Sequence, residues 1–180
     1  MSSVVIRSIE KFAEPEFSRL QREVFAELQE RSSALTSVLD DESRILTSLQ
    51  NNHTTNFPPR RRVAAYDGEE LVGWSSGHME RGGFFYMANS GVITSRRQQD
   101  IYTSLLDAVR SLAKSEGAVG LRSQHSVLNN PVLIAKLRYG FHISGISHSA
   151  QMGALVELTY HFSAARQEMY RSRVIPYVSN

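Results

Sequence analysis

The stretch that most constrains this 180-residue chain is Gly91-Val92-Ile93-Thr94-Ser95-Arg96-Arg97-Gln98-Gln99-Asp100-Ile101-Tyr102, followed at once by Thr103-Ser104-Leu105-Leu106. Its pattern is a β-strand passing through a basic, polar loop into an amphipathic helix. Such a junction aims free backbone N–H groups and the positive end of a helix dipole at whatever lies in front of it, and these are the groups that grip a phosphate. Two arginines in the loop add charge and forked donors. The segment therefore points to a phosphate-bearing cofactor.

The elements around this junction follow from local patterns. Val4-Val5-Ile6-Arg7-Ser8-Ile9 reads as a first strand. Glu14-Pro15-Glu16 opens a helix, because Pro suits a first turn and acids there complement the dipole. Phe17, Leu20, Val24 and Leu28 give that helix one apolar face. A second helical piece is expected within 34–49, followed by a polar loop from Asn51 to Pro59. Asp67-Gly68, with Glu69-Glu70 lengthening the loop, predicts a hairpin joining strands at 62–66 and 71–76. Trp74 reads as core, and Gly82-Gly83 turns into a strand that runs from Phe84 towards Val92.

The next helix is expected over 98–115, with Ile101, Leu105, Leu106, Val109, Leu112 and Ala113 as its buried stripe. Ser95 and Gln98 have capping-box spacing at its start, and Glu116-Gly117 closes it. A strand at 119–123, a short helix after Asn129, and strands at 141–146 and 155–162 complete the domain. The tail 163–180 is open between a short helix, a strand exchanged with another subunit and a mobile end.

Val92, four residues, Arg97, two residues, then Asp100-Ile101-Tyr102 and Leu105-Leu106 resembles the acyl-CoA-binding motif of the GCN5-related N-acetyltransferases. That motif runs Val, four residues, Arg or Gln, two residues, Gly, one residue, Gly or Ala, then two leucines. Asn129-Asn130-Pro131 followed by Gly140-Phe141 resembles the later signature of the same family, an Asn opening a short helix that ends in Gly-Phe. The resemblance covers about residues 3–162. It implies one α/β domain (1–162), with a mixed, mostly antiparallel twisted sheet whose central strands splay apart, flanked by helices.

By the same resemblance, acetyl-CoA is the cosubstrate, its arm lying between the fourth and fifth strands. Backbone and side-chain groups of Val92, Ile93, Arg97, Gln98, Gln99, Asp100, Ile101, Tyr102, Asn129, Asn130 and Lys136 are expected to hold it. Asp100 stands where the family has its first loop glycine, and Tyr102 replaces a small residue. Lys136 falls near the position of the tyrosine proposed to protonate the leaving thiolate, so the catalytic acid stays open among Tyr139, Tyr160 and Lys136. A solvated helix lysine is the plainer reading of Lys136. For the base, His125, Glu80 and His78 are candidates, with His78 read as solvent-facing. Asn129 and Asn130 are expected to cap the short helix.

The implied reaction is direct attack of a primary amine on the thioester in a ternary complex. The acceptor is left open between a small molecule and a peptide. An acyl-CoA-binding protein of this fold without transfer activity is the alternative.

Composition removes other classes. The chain has no cysteine, so disulfides, thiolate metal sites and a cysteine nucleophile are out of play, and no metal is expected. Met1-Ser2-Ser3-Val4-Val5 lacks signal-peptide shape, and no apolar run approaches the roughly 20 residues that span a bilayer. A cytoplasmic protein without a membrane partner is the expectation. Net charge is only +2. The Arg60-Arg61-Arg62 run lacks interleaved aromatics or a zinc pattern, so it is read as solvated rather than as a nucleic-acid site. A homodimer is common in the family.

Overall fold

The computed structural model describes residues 4–26, 58–149 and 152–174. Strand β1 (Val4–Ile9) and helix α1 (Glu16–Val24) come first, then β2 (Arg61–Asp67), β3 (Glu70–Met79) and β4 (Phe84–Val92). A 3-10 turn (Thr94–Arg96) leads to α2 (Ile101–Ser115), β5 (Gly120–Ser126), α3 (Asn130–Tyr139), β6 (His142–Ser149), β7 (Gly153–His161) and α4 (Ala164–Val174). The helix expected within 34–49, and Leu28, lie outside the described residues.

The seven strands form one sheet in the order β1-β2-β3-β4-β5-β7-β6. Every neighbouring pair is antiparallel except β4 and β5, which are parallel. A parallel pair needs a crossover, and α2 supplies it. The first hairpin is tighter than the sequence implies. Asp67 pairs with Glu70, which leaves a two-residue turn of Gly68 and Glu69. Gly68 has φ +62°, the conformation a leading glycine gives a hairpin turn.

Successive strand residues point to opposite faces, and this sorts the helices. Trp74, fully buried on β3, meets Phe17 of α1 edge-on at 5.5 Å. A Cβ placed on its neighbour Gly73 would instead meet Leu105 of α2 at 3.3 Å. So α1 covers one face and α2 the other. Tyr139 of α3 donates to Asp107 of α2 at 2.6 Å, which places α3 beside α2. The expected stripe of α2 is the observed one: Ile101, Leu105, Leu106, Val109 and Ala113 are buried.

Two local expectations at the start of α2 are corrected. Helix α2 starts at Ile101, not at Gln98, because Gln98 (φ +63°) and Asp100 (φ +57°) are both left-handed and break the turn. Ser95 and Gln98 therefore form no capping box. The tail is helical through Val174 and lies on its own sheet: Tyr170 stacks on His142 at 3.5 Å, and Gln167 donates to the His161 carbonyl at 2.8 Å. Within the basic run, Arg61 pairs with Glu116 and Arg62 donates to the Glu10 carbonyl at 2.7 Å.

Candidate functional site

Strands β4 and β5 share only three rungs: Phe84 with Gly120, Phe85 with Leu121, and Tyr86 with Arg122. Beyond them β4 keeps β3 as its partner up to Val92, while β5 continues against β7 up to Ser126. No ladder joins Met87–Val92 to Ser123–Ser126. Ser76 pairs with Asn89 and Gly77 with Met87, so Ala88 is an extra residue that bends β4 at the start of the parting. The result is a V whose inner edges, Met87–Val92 and Ser123–Ser126, do not pair with each other. An extended ligand arm with amides can occupy such a gap as another strand would.

The loop after β4 forms the mouth of the V. Ile93 N–H donates to Val72, Arg96 N–H to Ile93 and Arg97 N–H to Thr94. The first full-turn bond of α2 runs from Ser104 N–H to the Asp100 carbonyl at 2.9 Å. The N–H groups of Ile101, Tyr102 and Thr103 therefore precede any i−4 acceptor and face forward from the positive end of the helix. Asp100 sits in the left-handed region where the resembling motif has glycine. Asp tolerates that conformation better than most residues, which explains how the loop keeps its course without glycine.

The two arginines of the loop do not flank Asp100. Arg96 pairs with the largely buried Asp67, and Arg97 Nε donates to the Val92 carbonyl at 3.3 Å, fastening loop to strand end. The Tyr102 hydroxyl lies 3.3 Å from Ser90 Oγ, and burial pushes its pKa up to about 12, so it stays a neutral phenol.

The vertex of the V is the least expected part. Lys136 of α3, read from the sequence as solvated, is 0% exposed. Gly140 (φ +110°) ends α3 in a left-handed cap, and Leu133 and Tyr139, three residues either side of Lys136, pack on the core. That spacing turns Lys136 to the sheet, and it is the signal by which the sequence reveals the burial. Nζ donates to Ser123 Oγ at 2.7 Å and lies 3.7 Å from Met87 Sδ and 5.0 Å from the Phe141 ring centre. Met87 and Ser123 are the first residues past the last β4–β5 rung, so one amine bridges both strands where they part. Burial pulls its pKa down to about 7.

Ser123, fully buried and absent from the sequence-level candidates, links the amine to His125, whose Nε2 is 3.2 Å from Ser123 Oγ. Alternation along β5 puts Leu121, Ser123 and His125 on one face, the signal that singles it out. Burial, and then the Lys136 charge, hold His125 down at about 3. It is a neutral ring at physiological pH, able to accept a hydrogen bond from the Ser123 hydroxyl at Nε2.

Glu80 lies on the other face. It pairs with Arg122 at 3.3 Å, and Arg122 reaches Glu157 at 3.6 Å. Gln124 donates to Glu157 at 2.9 Å and accepts from the Tyr86 hydroxyl at 3.2 Å. His78 packs against Tyr86; burial first, then Arg60, lowers its pKa. A polar cavity of about 320 Å³ opens on this face, lined in part by Arg122, Glu157, Thr159, His142, His161 and Tyr170. Arg122 alternates with Ser123 and His125 along β5, so the sheet separates Glu80 from His125.

Tyr139 is turned away from the vertex: its hydroxyl is held by Asp107, and burial and that contact raise its pKa. Asn129 occupies the N-cap of α3 without a side-chain bond, contrary to the expected cap, and its N–H donates to Ser126. Asn130 is the first helical residue beside it. Among the described residues, no group of three or more His, Asp or Glu side chains is placed to hold a metal ion.

No protein-family model and no curated protein matches the sequence. Solved structures do match. The ribosomal-protein-S18-alanine N-acetyltransferase from Escherichia coli aligns over 89% of this chain and 95% of its own, at 10% identity and TM-score 0.65. An acetyltransferase from Bacillus subtilis in complex with CoA aligns over 89% and 100%, at 16% identity and TM-score 0.61. A protein from Desulfovibrio desulfuricans placed in the GNAT family of acetyltransferases aligns over 89% and 100%, at 15% identity and TM-score 0.60. The strand order, the parting of β4 and β5 and these neighbours together establish that the chain has the fold of the GCN5-related N-acetyltransferases.

Proposed function

We propose that this protein is an acetyl-CoA-dependent N-acetyltransferase acting on a primary amine in a ternary complex. The observation that carries the reading is the vertex: the two central strands part at a buried, titratable amine, with a forward-facing helix N-terminus at the open end of the same gap. Residues and ligand are matched in chemistry. The edges of Met87–Val92 and Ser123–Ser126 offer peptide groups to an amide-bearing arm, and the N–H groups from Gln98 to Tyr102 suit a pyrophosphate. Val92, Ile93, Asn129 and Asn130 border the gap. When bound, acetyl-CoA supplies the activated acetyl thioester.

The chain's own residues then divide the proton work between the two faces of the sheet. Lys136 Nζ, bridging the vertex, holds the proton that the departing sulfur takes up. Ser123 and His125 position that amine. Glu80, across the sheet beside Arg122, is the carboxylate that faces an incoming ammonium and draws off its proton. Proton transfer by positioned groups of this kind contributes about 10²–10⁴ in rate. Tyr139, tied to Asp107, acts as a brace between α2 and α3. The coupling of Arg97 to the Val92 carbonyl makes it a support of the loop as well as a charge near the mouth.

Calorimetric titration with acetyl-CoA, on the wild type and on Arg97→Ala, tests the reading. Saturable binding weakened by the substitution, followed by turnover with an amine panel, is the expected result. Absence of binding at millimolar acetyl-CoA would overturn it. Asp100 supports a second reading, an acyl-CoA-binding protein without transfer activity, because a carboxylate at the mouth repels a pyrophosphate. Binding without turnover on any amine of the panel would favour that alternative.

A further inference from the structure

We infer that Lys136 is itself an acyl acceptor: with acyl-CoA in the gap and no substrate amine present, its Nζ takes the acyl group and becomes an amide. The inference rests on the acyl-CoA reading above. Three observations carry it. The amine stands at the closed end of the gap, touching the first residue of each diverging strand. It is wholly buried, and its contacts are a hydroxyl, a thioether and an aromatic ring, with no carboxylate among them to hold it as an ammonium. Ser123 Oγ accepts the hydrogen bond of Nζ at 2.7 Å and can relay a proton, with His125 Nε2 3.2 Å away holding that hydroxyl in place.

Burial alone also keeps a large share of this amine unprotonated near neutral pH, unlike an ordinary lysine. The step balances without any further reactant. The Nζ lone pair forms a C–N bond to the thioester carbonyl carbon, and the C–S bond breaks with its electron pair going to sulfur. The proton lost by nitrogen passes by way of the Ser123 hydroxyl to the departing thiolate. The products are an Nε-acyl lysine and CoA thiol.

The amide keeps one N–H, enough to maintain the bond to Ser123 Oγ, while the core loses a titrating charge. The modified protein lacks the proton at Nζ that the transfer reaction uses. Self-acylation is thus an off-switch thrown by plentiful acyl-CoA and scarce acceptor. The chain provides its own controls: Lys11 and Lys114, the only other lysines, are both exposed.

The full chain is incubated with acetyl-CoA without any amine, then analysed by intact mass and peptide mapping, with acetyl-CoA binding measured in parallel by calorimetry. One acetyl group on Lys136 is expected, formed at least roughly tenfold faster than on Lys11 or Lys114 because the amine is held at the thioester. Excess CoA thiol should suppress acetylation of Lys136 but not of the exposed lysines, and Lys136→Arg should leave only their slow background. Acetyl-CoA that binds while Lys136 stays unmodified, or equal acetylation of all three lysines, would overturn this inference and leave the proposed function standing. No binding at all would overturn both.

Discussion

Lys136 and Ser123 meet at 2.7 Å from Nζ to Oγ, in a contact that ties helix α3 to strand β5 at the point where β5 leaves β4. Both side chains are buried, at 0% and 1% exposure. A lysine in such a place is a cost to the fold, since taking an ammonium out of water is unfavourable unless a carboxylate compensates. Its folded pKa is about 7, against 10.5 for the unfolded chain.

The sign of that shift sets a first prediction. Between about pH 7 and pH 10.5 the unfolded chain carries a proton on Lys136 that the folded chain lacks, so stability rises with pH across this window. Below about pH 7 the cost is fully present, at most roughly 5 kcal/mol. Lys136→Met keeps the length and removes the charge. Urea unfolding at pH 7 should show it more stable by roughly 1–4 kcal/mol. Its acetyl transfer should fall by about 10²–10⁴, with acetyl-CoA affinity little changed. A destabilised variant with normal turnover would refute the account of this residue.

Asp100 carries a second prediction. Its left-handed backbone costs an L-residue free energy that glycine avoids, while glycine adds unfolded-chain entropy. Asp100→Gly should therefore change stability by no more than about 1 kcal/mol. Removing the carboxylate from the mouth should tighten acetyl-CoA binding by roughly three- to tenfold at low salt, and less at high salt. Calorimetry at two ionic strengths reads this directly. Unchanged affinity would mean that the pyrophosphate does not approach Asp100.

Acid should destabilise the protein through its histidines. His125 is held down at about 3 by burial and then by Lys136, and His142 at about 4 by burial, His161 and Arg171. Both unfold to rings that titrate near 6.5. As pH falls below 6.5 the unfolded chain gains protons that the folded one refuses, so stability is lost progressively down to about pH 4, and for His125 to about pH 3. Denaturant midpoints measured from pH 7.5 to 4.5 should fall, and His125→Gln should flatten the slope. A midpoint flat across this range would be incompatible with the buried neutral rings.

Gly120 and Gly82 make a matched pair for packing. A Cβ on Gly120, the first β5 residue paired with β4, would lie 2.3 Å from the Tyr160 carbonyl, a backbone atom of the adjoining ladder. One on Gly82 meets nothing within 4 Å. Gly120→Ala should lower stability by about 2 kcal/mol or more, and Gly82→Ala by no more than about 0.5 kcal/mol, in thermal or urea unfolding. Equal effects would show that the base of the V is looser than its register implies.

Local geometry made much of the fold legible before any tertiary contact was known. The 3.6-residue recurrence from Ile101 to Ala113, the turn glycine at 68 and the strand–loop–helix order around Val92 need only near neighbours in the chain to take effect. The start of α2 is not legible locally, because Gln98 and Asp100 take left-handed conformations that composition does not announce. Asn129 has the residue type of a side-chain cap, yet its side chain makes no capping bond.

The order of the described elements and the strand–loop–helix junction after Val92 are legible along the chain, and the parting of the central strands follows from the family resemblance. Which polar groups share the vertex depends on contacts between elements far apart in the chain. Whether Lys136 is solvated or buried depends on Met87, Ser123 and Phe141, which reach it from β4, β5 and the segment beyond α3. That His125 and Glu80 stand on opposite faces depends on the pleat of β5 within the assembled sheet. A side chain's period is local, but its dielectric surroundings are set by whatever the rest of the chain packs against it.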